Sequence, residues 1–155
     1  MNKLEYLIIH CTATQEGREL TASDIIKMHT SPPPKGRGWK QIGYSDMIHL
    51  SGSVTNLVPY NEDDGVQPRE VTNGAIGLNG VSRHVVYVGG VEVDGKTPKD
   101  TRTTQQLLAL RNYVYHVIAA HPKIKILGHN QVAAKACPCF SVPVWLNTIG
   151  VKEEN

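Results

Sequence analysis

His129, Lys135 and Cys137 fall within nine residues of one another, in the segment Gly128-His129-Asn130-Gln131-Val132-Ala133-Ala134-Lys135-Ala136-Cys137-Pro138. Imidazole and thiolate are the two commonest zinc ligands, and a lysine between them is an unusual neighbour for a purely structural metal site. A metal centre needs a third ligand from elsewhere, and His10, at the end of the apolar run Leu4 to Ile9, is the best placed. Two histidines and one thiolate leave the fourth tetrahedral position open, which marks a catalytic zinc and not a closed structural one. Zinc so held lowers the pKa of water towards about 7 and polarises a substrate carbonyl. Lys135 would then stabilise the oxyanion of a tetrahedral intermediate, with Tyr44 as a second polar partner. The His-x7-Cys spacing is not one of the tight zinc-finger spacings. Spacing alone therefore leaves a chance arrangement open, and equally a His10 satisfied by backbone at a strand end.

The elements that must position these side chains are legible in outline. Leu4 to Ile9 is short, isoleucine-rich and ends in His10-Cys11-Thr12, which reads as a buried strand delivering a polar residue at its C-terminal end. Thr21-Ala22-Ser23-Asp24 opens a short helix with a capping box that uses aspartate where glutamate is commoner. The run Ser31-Pro32-Pro33-Pro34-Lys35-Gly36-Arg37-Gly38 ends it, and Trp39 is expected to dock the resulting loop back onto the body. Gly43 to Leu50 and Val54 to Val58 flank Ser51-Gly52-Ser53 as a hairpin, with Tyr44 near the start of its first strand.

Tyr60 to Val71 is polar and reads as loop, and Ala75 to Asn79 as a short strand. His84-Val85-Val86-Tyr87-Val88, stopped by Gly89-Gly90, is apolar on both faces and predicts a central strand. Thr103-Thr104-Gln105-Gln106 starts the one long helix, running to about Ala120, with an apolar stripe of Leu107, Leu110, Val114, Val117 and Ile118. Ile124 to Leu127 is a last strand that delivers His129, and Val142 to Ile149 a terminal helix with Gly150 past its end. His116 and His121 carry no expected ligand role.

At 155 residues the chain fits one domain, able to bury about two thirds of its unfolded surface in a single core. A net charge of only +2 points to no nucleic-acid partner and no polybasic membrane patch. No apolar run approaches the length of a spanning helix, and the N-terminus lacks the signature of a signal peptide. Three cysteines, an odd count, fit free thiols or metal ligation better than a disulfide framework, so synthesis in a reducing, cytoplasmic compartment is expected.

With these residues in view, the chain resembles the zinc-dependent N-acetylmuramoyl-L-alanine amidases, of the type that includes the phage T7 lysozyme and the peptidoglycan recognition proteins. The likeness rests on His10-Cys11-Thr12-Ala13-Thr14, on Gly43-Tyr44, and on His129-x-x-Val132-Ala133-x-Lys135-Ala136-Cys137-Pro138, in matching order over roughly Leu4 to Trp145. Asn79 and the strand ending at Gly89-Gly90 also fall at family spacing. The resemblance implies that His10, His129 and Cys137 hold Zn²⁺ and that Tyr44 and Lys135 act in catalysis. It implies hydrolysis of the amide between N-acetylmuramic acid and the first L-alanine of the stem peptide, in an α/β fold with a mixed central β-sheet flanked by helices. One catalytic domain over residues 1–155 is expected, monomeric, made in the cytoplasm and acting on peptidoglycan after release, as a phage or prophage endolysin does.

Two departures stand out. Gly74-Ala75 replaces the His-Ala pair that members of this type often carry before the groove-side asparagine, and the Pro-rich loop is long. Two other readings compete. One is a recognition module that binds peptidoglycan without cutting it, which has no need of an open metal position. The other is a cysteine hydrolase with Cys137 as nucleophile and His10 or His129 as base. Cys11 is expected to pack behind the metal, and Cys139 to be a small apolar residue or a thiol near the site.

Overall fold

Two runs, Leu7-Ile8-Ile9 and Val85-Val86-Tyr87, are β-branched, leucine or aromatic throughout and fully buried, as central strands require. In a computed structural model, which describes residues 1–152, they anchor a chain that runs β1 (Asn2–Lys3), β2 (Tyr6–Cys11), β3 (Thr14–Gln15), α1 (Ala22–Thr30), β4 (Asp46–Ile48), β5 (Val54–Asn56), β6 (Gly65–Val66), β7 (Ser82–Tyr87), β8 (Gly90–Val91), α2 (Thr104–Ala120), β9 (Lys125–Gly128) and α3 (Val142–Thr148). Residues 153–155 of the expected domain lie outside the described residues. The main sheet has five strands in the order β5-β4-β7-β2-β9. Strands β4, β7, β2 and β9 are parallel, and β5 closes one edge as the antiparallel arm of a hairpin. This is the mixed α/β sheet expected, with β7 at its centre.

The two faces of the sheet are covered differently. Leu7, Ile9 and Cys11 of β2 and Val85 and Tyr87 of β7 pack with Leu110, Val114 and Val117 of α2 and with Val142, Trp145 and Leu146 of α3. Strand alternation turns Ile8 and His10 to the opposite face. There Met47, Val86 and Val88 join Leu20, Ile25 and Ile42 in a smaller core that includes α1. That second face carries the chemistry.

Helix starts follow the sequence closely. Thr21 caps α1 by accepting from the Asp24 amide at 3.2 Å, and the Asp24 carboxylate accepts from the Thr21 amide at 2.8 Å. Thr103 and Gln106 make the same reciprocal pair at α2. Trp39 docks as expected, its ring 5.0 Å from that of His29 on α1.

Three expectations are corrected. Ala75 to Asn79 is not a strand: Gly77 takes φ +86°, and the Ala75 amide donates to Asn79 Oδ1 at 2.8 Å instead of to a sheet neighbour. A 3₁₀ turn over Asn79–Val81 follows. The stretch from Tyr60 to Val71 is not all loop, because Gly65–Val66 pairs antiparallel with Asn2–Lys3 and Pro68–Glu70 makes a 3₁₀ turn. In α2 the inward position beside Leu110 belongs to Gln106, not to Leu107, which is 37% exposed. Gln106 is buried because its side-chain amide donates to the Val88 and Ile48 carbonyls at 3.0 and 3.4 Å. Among the described residues no helix is long and apolar enough to cross a membrane.

Candidate metal centre

His10 is the penultimate residue of β2, and His129 follows β9 directly. These two strands are parallel neighbours with Ile9 opposite Gly128, so the sheet itself sets the two imidazoles side by side, ring centroids 4.7 Å apart. Past His129 the chain makes one 3₁₀ turn, fixed by the Gln131 side chain accepting from the Gly128 amide at 2.7 Å, and loops back to Cys137. The return is pinned from below. The Tyr87 hydroxyl donates to the Pro138 carbonyl at 2.7 Å, and the Arg102 guanidinium lies 3.4 Å over the Phe140 ring. Cys137 Sγ thereby receives the Cys11 backbone N–H at 3.2 Å and stands 3.8 Å from His10 Nδ1.

One donor atom each from His10, His129 and Cys137 falls within 4.8 Å of the others. Two ligands on a tetrahedral zinc, at bond lengths of about 2.0–2.1 Å to nitrogen and 2.3 Å to sulfur, stand roughly 3.6 Å apart. The 3.8 Å between His10 Nδ1 and Cys137 Sγ is close to that separation. The donor chemistry fits as well. Burial, then the neighbouring His84 and His129, hold the His10 imidazole well below its ordinary range, and burial followed by Lys135 lowers His129. Cys137 is lowered by the Cys11 thiol beside it and further by the Cys11 amide, against the opposing effect of burial, while Cys11 itself is pushed up to about 12, chiefly by Cys137. These shifts run in the direction that metal ligation favours, towards neutral imidazoles and a thiolate.

Tyr44 lies in the lead-in to β4, its ring 5.2 Å from that of His10 and 5.1 Å from that of His29. Burial first, then the nearby Cys137 and Cys11 sulfurs, raise its pKa, so the phenol keeps its proton. Lys135 is exposed on the loop before Cys137, and its charge is felt at His10, His129 and Cys137. All five sequence-derived candidates therefore belong to one neighbourhood: three donors together, Tyr44 against one of them, and Lys135 on the loop that delivers another. Cys11 is buried in the core behind the donors, as expected. The Cys139 thiol donates to the Gly90 carbonyl at 3.2 Å and lies 3.9 Å from Cys11 Sγ. His121 is engaged at the far end of the sheet, with Glu62 at 3.1 Å and Asp64 at 3.5 Å. A cleft of about 450 Å³ lies at that same end, between Lys3, Glu5, Asp64 and Lys125, and none of the five candidates lines it.

Sequence reasoning passed over His84. It is fully buried in β7, and its Nδ1 is 2.9 Å from His10 Nε2. Its Nε2 is 3.1 Å from Asn79 Oδ1. Burial, then His129, push its pKa down to about 3. The one available signal was a histidine leading directly into the apolar run Val85-Val86-Tyr87-Val88. Gly74 is explained by the same side chain, because a methyl group built there would overlap the His84 ring.

The family model described as N-acetylmuramoyl-L-alanine amidase matches residues 1–140. The endolysin of Enterobacteria phage K11 is 31% identical over 140 residues, covering 90% of this chain and 83% of its own length. Among solved structures, the Ph2119 endolysin from the Thermus scotoductus MAT2119 bacteriophage Ph2119 superposes with a TM-score of 0.70 at 24% identity, over 98% of this chain and 88% of that one. The amidase LysC from Clostridium intestinale URNW gives a TM-score of 0.72 at 19% identity, over 97% and 88%. These two likenesses are of fold.

Proposed function

The chain belongs to the N-acetylmuramoyl-L-alanine amidase family and is a peptidoglycan-hydrolysing enzyme of the endolysin kind, and on that premise we propose that His10, His129 and Cys137 hold a zinc ion while Tyr44 and Lys135 serve the reaction. The observation that carries this reading is the convergence of three donors, two nitrogens and one sulfur, onto one point at the C-terminal ends of β2 and β9. Three protein donors leave a tetrahedral ion one position for water or substrate. Zinc bound there would supply Lewis acidity towards the carbonyl of the scissile amide.

The chain's own residues do the rest. Tyr44 keeps its phenolic proton and offers an O–H from the wall beside His10. The exposed Lys135 ammonium brings positive charge to the developing oxyanion. The Cys11 amide, donating to Cys137 Sγ, favours the thiolate. The substrate is the amide joining N-acetylmuramic acid to L-alanine, attacked within one catalytic domain over residues 1–155. The protein works as a monomer, made in the cytoplasm and reaching the wall after release.

A cysteine sulfur 3.8 Å from an imidazole nitrogen also suits a cysteine hydrolase. Metal dependence separates the two. Chelation should abolish release of intact stem peptides from glycan, followed by mass analysis of the fragments, and Zn²⁺ should restore it. Activity that survives chelation assigns Cys137 as nucleophile and sinks the zinc reading. Cys137→Ala should lose bound zinc and activity together.

A further inference from the structure

Hydrogen bonding leads from a backbone amide to a proposed metal ligand with no freedom left along the way. The Ala75 N–H can only donate, and it meets Asn79 at 2.8 Å, so the atom there is the amide oxygen. An amide oxygen can only accept, so the His84 Nε2 that lies 3.1 Å from it carries a hydrogen. His84 is fully buried, and the other groups that it bonds are the neutral Asn79 and His10. A second proton on its ring would be an unpaired buried charge. Its Nδ1 is therefore a bare lone pair. His10 Nε2, 2.9 Å away, must supply the hydrogen for that bond, which leaves the lone pair of His10 on Nδ1. Nδ1 is the atom that faces Cys137 Sγ at 3.8 Å.

We propose that His84 is a positioning residue: through the Ala75–Asn79–His84–His10 hydrogen bonds it holds His10 in the Nε2–H tautomer with Nδ1 aimed at the metal. The role rests on the zinc reading above and adds to it the reason that one ligand is pre-set before metal arrives. It also explains the local sequence. The ring needs the volume over residue 74, and glycine leaves it free. The turn at Gly77 brings Asn79 back to the ring edge, where a strand would have carried it away. A hydrogen bond to the far nitrogen of a ligating imidazole fixes its tautomer and orientation, and losing one costs about 10–100-fold in metal affinity.

The test uses metal-free and zinc-loaded protein. In metal-free wild type with ¹⁵N-labelled histidine, His10 and His84 should both carry hydrogen on Nε2. A ¹⁵N–¹⁵N coupling should run through the hydrogen bond from His10 Nε2 to His84 Nδ1, a signature that needs no variant. In competition with a chromophoric chelator, His84→Leu, which fills the space without accepting, should bind Zn²⁺ about 10–100-fold more weakly. His84→Gln, which offers a carbonyl oxygen, should fall closer to wild type than to His84→Leu. Absence of the coupling in wild type, or equal zinc affinity in wild type and a folded His84→Leu, overturns the positioning role alone. A wild-type protein that shows the coupling but takes up no zinc overturns the metal reading and the role with it.

Discussion

At the scale of single residues, the proposed site divides into three donors that would hold the metal and two groups, Tyr44 and Lys135, that would act. Lys135 touches none of the donors by hydrogen bond, and its ammonium reaches them only through its field. Lys135→Ala should therefore keep its zinc, measured by metal analysis, while losing about 100–1,000-fold in muropeptide hydrolysis, the usual cost of removing one oxyanion donor. A Lys135→Ala enzyme that hydrolyses at the wild-type rate shows the oxyanion role to be wrong. Gly74 makes a separate prediction. Its substitution by alanine forces a methyl group against the His84 ring in a site with no slack. Overpacking of this kind costs about 1–3 kcal/mol, readable as a lower urea midpoint in metal-free protein. Unchanged stability would mean that the ring can move aside.

At the scale of elements, the two capping threonines look alike in sequence but differ in what they join. The Thr21 hydroxyl accepts from Asp24 and lies at the surface. The Thr103 hydroxyl accepts from the Gln106 amide at 3.0 Å and also donates to the Leu50 carbonyl at 2.7 Å, so it ties the start of α2 to the β4–β5 hairpin. Thr21→Ala should cost about 0.5–1 kcal/mol and Thr103→Ala about 1–2 kcal/mol, with Thr103→Ser recovering most of the loss. Equal costs in denaturant titrations would count against the tie to the hairpin. Caps were legible because they are local and chemical. The paired β1 and β6 were not, since two-residue strands carry no periodicity to read. Nor was the burial of Gln106 in place of Leu107: helical spacing locates an inward stripe but cannot say that two strand carbonyls wait there for a donor.

At the scale of the whole molecule, the second face of the sheet concentrates histidines that fold in the neutral form. His29 is the clearest: burial, then Arg37, push its pKa down to about 4, and its Nδ1 accepts from the Gly43 amide at 2.9 Å. In the unfolded chain a histidine takes its proton below about 6.5, so the unfolded state gains protons first as pH falls. The associated stability is complete above about pH 6.5 and is lost between there and about pH 4, an effect on the order of 2–3 kcal/mol for His29. Urea unfolding of the metal-free protein at stepped pH should show it, with a shallower slope in His29→Gln. A pH-independent midpoint over that range would contradict the buried-neutral assignment. Zinc should raise the thermal midpoint and a chelator should lower it. The stabilisation is about 2.7 kcal/mol when free metal is 100 times its Kd.

The sequence by itself determined the types of the donors, the starts of α1 and α2, and the strand runs that end at His10 and precede His129, because all of these depend on neighbours along the chain. It also carried the family motifs of the site, since residue identity at fixed spacing is what a motif is. Only the tertiary structure decided how the site is wired. His10 and His84 are 74 residues apart, and their contact exists because β2 and β7 pair in parallel at one register. A shift of that register by one residue would put the two rings on opposite faces of the sheet. The direction of a hydrogen bond between two imidazoles is fixed by what lies beyond them, here an asparagine and a backbone amide, and that is information held by the fold and not by either residue.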